Sequence, residues 1–201
     1  MPKYEHPSYY APALKQEYLI DICREILKVV KDALVTASTE LDDSWTRGTL
    51  IYGRVKGLVR ELSRNKNRPW FRLINTGMDF TFAIEGTPIQ FVKDNPFNPS
   101  KFHRLKPNDI EQLSLLDTDS EMAIWRIFVD QNYDEDFFDL KIYLFGYDAQ
   151  QQIKCIWQPD TITHIPMLNT DVPPPEDIED TELSRRFKYN IDEKINNGNA
   201  D

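Results

Sequence analysis

Hydrophobic and polar positions change period twice along this chain. From Lys15 to about Ala37, Leu19, Ile22, Ile26, Val29/Val30 and Ala33 recur at steps of three and four, which predicts a helix with one apolar stripe. Thr36 to Asp43 breaks that pattern, and Asp43 or Ser44 is suited to cap a new helix. This second helix is predicted from about Ser44 to Arg64, with Trp45, Leu50/Ile51, Val55, Leu58/Val59 and Leu62 as its stripe. Gly48, Gly53 and Gly57 interrupt it at about 1 kcal/mol each against alanine, so they predict close approach of a neighbouring helix, the first one, in an antiparallel αα-hairpin.

Beyond Arg68 the period becomes two. Residues 70–74, 80–84 and 88–92 read as short strands, the last two joined around Glu85-Gly86-Thr87, with Pro88 placing its strand at an edge or a bulge. Residues 94–100 form a loop with two Asn-Pro steps, and Pro107 is placed in the first turn of a short helix reaching about Leu116. Residues 122–157 then hold three apolar runs separated by two polar turns, an antiparallel meander with one dry face. In it Trp125, Ile127 and Val129 oppose Ile124, Arg126 and Phe128, while Phe138, Leu140, Ile142 and Leu144 oppose Asp139, Lys141, Tyr143 and Phe145.

The predicted architecture is α+β: an N-terminal helical hairpin packed on a mainly antiparallel sheet of five to six strands, followed by a flexible acidic tail. Residues 1–14, with Pro2, Pro7 and Pro12, read as an extended arm because prolines exclude a helix there. Residues 15–168 form the single domain. Residues 169–201 are an acidic, proline-rich linker and a short amphipathic tail helix whose stripe is Leu183, Phe187, Ile191 and Ile195.

Charge sharpens the picture. The net charge is −9, yet residues 44–72 hold eight basic residues against Glu61 alone. Arg47, Arg54, Lys56, Arg60, Arg64 and Arg68 are the candidate partner- or phosphate-binding residues. Lys56, Arg60 and Arg64 share one helical face, joined by Arg68 if the helix extends so far. The competing reading is a solvated face neutralised by the chain's own acids. Residues 109–139 hold ten acids against Arg126, which makes the chain strongly dipolar.

Candidate chemistry is sparse. His6, His103 and His164 stand alone, and no catalytic residue, metal-ligand set or cofactor motif emerges. Cys23 and Cys155 read as two reduced, buried thiols. Trp70, Phe71, Phe97, Phe102, Phe137 and Phe138 mark either an interface or a plug between layers. With no apolar span or leader pattern, a cytoplasmic chain is expected. The leading expectation is a non-enzymatic interaction module, a regulator, inhibitor or antitoxin-like binder. It would engage another protein or a second copy of itself through the basic helix and the tail stripe, with no membrane. The alternatives are a nucleic-acid-binding regulator using the basic helix, and an enzyme with a dispersed site.

Overall fold

The fold is seen in a computed structural model that describes residues 4–100, 105–108, 111, 124–134, 137–160 and 163–166. The linker and tail, including Leu183, Phe187, Ile191 and Ile195, lie outside the described residues. So do Phe102, His103 and all but residues 107, 108 and 111 of the helix expected over 107–116.

Two long helices carry the N-terminal half: α2, Gln16–Thr36, and α3, Ser44–Arg64. Asp43 caps α3 by accepting a 2.7 Å hydrogen bond from the Thr46 backbone N–H, as its sequence position suggests. Before them lies a single turn, α1, Pro7–Tyr10. Proline excludes only a helix interior. At the first helical position no N–H is needed, and His6 Nδ1 accepts from the Ser8 N–H at 3.1 Å to cap the turn.

Among the described residues seven strands follow: β1 Phe71–Asn75, β2 Thr81–Ile84, β3 Thr87–Val92, β4 Ile124–Asp134, β5 Phe137–Tyr147, β6 Ile153–Trp157 and β7 Thr163–Pro166. They form one mixed sheet in the order β1-β2-β3-β4-β5-β6, with β7 also paired to β5. The meander β4-β5-β6 is antiparallel throughout, as the alternation predicts. β3 and β4 pair parallel, Gln90 opposite Arg126 and Val92 opposite Phe128.

The β2–β3 hairpin turns on Glu85 and Gly86, whose φ angles of 45° and 92° are those of a two-residue primed turn. Ile84 and Thr87 close it, so the next pair, Ala83 and Pro88, is a non-hydrogen-bonded one. This corrects the expectation for Pro88. Its strand lies between β2 and β4, but the ladder to β4 starts only at Gln90, and no neighbour needs an N–H at position 88.

Helices α2 and α3 cover one face of the sheet. The main core joins Leu19, Ile22, Ile26 and Val30 of α2 and Ile51, Val55 and Val59 of α3 to Phe82, Phe91, Ile127, Val129, Ile142 and Leu144. The opposite face is not wet. Val92, Ile124, Phe128, Tyr143, Phe145 and Tyr147 form a second cluster there, with Leu105 and Ile156 against it and the ring of Phe97 edge-on to Tyr143 and Phe145. The expectation of one dry face fails because Phe97 and Leu105, both beyond β3 in the chain, pack against the second one.

Glu111 is fastened to the sheet by charge. Arg126 and Glu111 are both wholly buried and joined through two guanidinium nitrogens and both carboxylate oxygens. Asn108 and Glu111 make the reciprocal hydrogen bonds of a capping box, 2.9 Å each, so Asn108 is the cap and Pro107 precedes the helix instead of lying in its first turn.

Candidate functional site

Helix α3 buries Ile51, Val55, Val59 and Leu62 and turns the opposite face outward. That outward face carries Gly53 and Gly57, both exposed, with Arg60 and Arg64 exposed and Lys56 partly so. A Cβ placed on Gly53 or Gly57 would meet nothing within 4 Å. The glycines therefore do not serve the α2–α3 contact, contrary to expectation; they leave the helix backbone bare to solvent. Gly48 differs, since its Cβ would lie 3.4 Å from the Lys93 ammonium.

The six candidate basic residues divide into two groups. Arg47 donates to the Asp42 carbonyl at 2.6 Å, and Arg54 to the Thr36 hydroxyl at 3.0 Å. Arg68 grips Asp21 with two parallel hydrogen bonds, 2.7 and 3.0 Å, and lies 3.7 Å from Glu25. These carboxylates hold the Arg68 guanidinium pKa above its usual value. Arg68 does not join the outer face: α3 ends at Arg64, and Asn65 turns extended. Lys56, Arg60 and Arg64 have no hydrogen-bond or ion-pair partner among the described residues. Self-neutralisation thus accounts for Arg68, and three cations remain outward.

Two of the aromatic candidates, Trp70 and Phe71, pack, whereas Phe102 and the side chains of Phe137 and Phe138 lie outside the described residues. Phe71 is buried, and Trp70 stacks on Tyr18 with centroids 4.2 Å apart. Among the described residues the exposed aromatics are Phe97, 57% accessible, and Tyr9 and Trp45, each 73%. The phase of Trp45 places it in the apolar stripe of α3, but the first turn of the helix projects past the core.

Trp45 stands on the rim of a cleft of about 620 Å3 lined by the start of α3 and by residues following β3 and within β4. Lys93, Asp94, Asp130 and Gln131 contribute polar groups, and Met78, 75% exposed, forms part of the wall. Sequence reasoning missed this cleft because its residues come from segments far apart in the chain and belong to no spaced motif.

Elsewhere, His6 stands edge-on to Trp157 at 6.2 Å, and burial lowers its pKa. Cys23 and Cys155 are free thiols pushed up to about 12 by burial. Among the described residues no group of three or more His, Cys, Asp or Glu side chains is arranged to hold a metal ion, and no helix is long and apolar enough to cross a membrane. No family model matches the chain, no curated protein matches it and no solved structure matches it.

Proposed function

We propose that the protein is a non-catalytic interaction module that docks an acidic protein surface on the outward face of α3. The observation that carries this reading is the contrast within one basic cluster. Arg47, Arg54 and Arg68 are used by the fold, whereas Lys56, Arg60 and Arg64 extend beside two bare glycines. Cations that stabilise nothing internally are free to be neutralised by a partner, and complementary charge raises association rate and fixes register. Glycines without neighbours let a partner approach the helix backbone, at a cost in helix stability that the fold itself does not require.

The test compares the full-length protein with a Lys56→Glu, Arg60→Glu, Arg64→Glu variant in affinity purification from the native cell, with and without nuclease. A protein partner should survive nuclease and disappear with charge reversal. Recovery of the same partner by the reversed variant would defeat the reading. Loss of the partner on nuclease treatment would favour nucleic acid, for which affinity must also fall steeply with salt.

A further inference from the structure

The cleft beside Trp45 is an open recess that the basic face of α3 does not explain. It opens where β3 and β4 run parallel, with Lys93 just past the end of β3 and Val129 and Gln131 continuing β4 beyond the paired stretch. Residues on one strand alternate faces, and Phe91, Ile127 and Val129 belong to the helix-side core. Lys93 and Gln131 therefore point to the helix side, towards the first turns of α3.

Three features distinguish the recess from ordinary surface relief. The side-chain amide nitrogen of Gln131 is buried without an acceptor among the described residues. Such a group is normally paired, so a ligand that supplies an acceptor would relieve it. The indole of Trp45 and the side chain of Met78 expose apolar surface at the rim, 73% and 75% accessible. The far wall is held in shape: Asp94 accepts from the Asn95 N–H at 3.0 Å and the Ser100 hydroxyl at 3.2 Å, and Asn95 Oδ1 accepts from the Phe97 N–H at 2.8 Å.

The chemistry of the lining narrows the ligand. Lys93 and the acids Asp94 and Asp130 give the lining charges of both signs, so charge alone selects no ion. Polar groups on its floor disfavour an acyl chain. What fits is a flat molecule with an apolar face for the indole, an acceptor on its edge for Gln131 and an adjacent donor for a carboxylate. We propose that the cleft binds a nucleobase, stacked on Trp45 and read along its edge by Gln131 and Asp94. Bases stack on exposed aromatic side chains whatever their sequence, and a cleft of this size suits a small planar ligand. The base can come from a free nucleotide or from a single strand, and the experiment separates the two.

Ligand-detected NMR is run on the full-length protein with AMP, CMP, GMP and UMP, and fluorescence anisotropy with labelled single-stranded oligonucleotides of mixed sequence. Wild type, Trp45→Ala, Gln131→Leu and the Lys56→Ala, Arg60→Ala, Arg64→Ala variant are compared, each first checked for native circular dichroism and cooperative unfolding. Binding of a mononucleotide, weakened about tenfold or more by Trp45→Ala and by Gln131→Leu and unchanged by the triple variant, supports a free-nucleotide site; tenfold corresponds to about 1.4 kcal/mol. Binding of the oligonucleotide alone, with the same sensitivity to Trp45 and Gln131, supports a base presented by a strand. Absence of binding in both arms overturns the proposal, as does binding that neither cleft variant weakens.

Discussion

Arg126 and Glu111 form a buried two-pronged ion pair that ties Glu111, and with it Lys106 and Asn108, to strand β4. The guanidinium also donates to the carbonyls of Trp125 and Lys106 at 3.0 Å each, and the carboxylate accepts from the Asn108 N–H. Removing one partner leaves a buried, unpaired charge, which costs roughly 3–5 kcal/mol, whereas replacing both with apolar residues is far cheaper. Glu111→Leu and Arg126→Met should each lower stability by that amount in urea unfolding. The double variant should recover most of the loss. If the double loss equals the sum of the single losses, the two side chains are not coupled as described.

Gly53 and Gly57 make the opposite prediction. With open space where each Cβ would go, alanine should raise stability by about 1 kcal/mol at either position, read from thermal unfolding. A fall would mean that something packs against that strip. Gly86, at φ 92°, is the control: alanine there is strained and should destabilise by roughly 1 kcal/mol.

Asp148 organises the turn between β5 and β6. Its Oδ1 accepts from the Gln150 and Gln152 N–H groups at 3.0 and 2.8 Å, and Lys154 Nζ lies 3.3 Å from Oδ2. The hydrogen bond from Gln152, then Lys154, holds its carboxyl pKa below the ordinary value of 3.8. A depressed folded pKa favours the ionised form on folding, so this contribution is complete above pH 3.8 and is lost as pH falls through the lower folded value. In an acid titration followed by urea unfolding, Asp148→Asn should be less stable than wild type at neutral pH and should converge with it in strong acid. Parallel pH curves for the two proteins would refute the linkage.

Much of this architecture is legible in periodicity. The ranges of α2 and α3, the Asp43 cap and the alternation of Trp125, Ile127 and Val129 against Ile124 and Phe128 all follow from local physics. The hidden part is non-local. Nothing near Val92 announces that its neighbour is Phe128, reached by a parallel step. Arg126 and Glu111, fifteen residues apart, look like surface charges until the sheet closes over them, although Asn108-x-x-Glu111 is a readable capping signal. Trp45 misleads because helical phase tells which way a side chain points, not whether the core extends that far. The basic face is visible as a +4 spacing, but which of its members the fold consumes depends on where α3 ends and on the acids of α2.

The parallel step between β3 and β4 also shapes how the chain reaches this state. Helices α2 and α3 with β1 to β3 can assemble from sequence neighbours, and so can β4 to β6. The seam between these halves must wait for a long excursion to close, which delays its reward until the entropy of closure has been met. Refolding should therefore be paced by the joining of two preformed halves, and substitutions at Gln90 or Arg126, where they meet, should slow it more than changes within either hairpin.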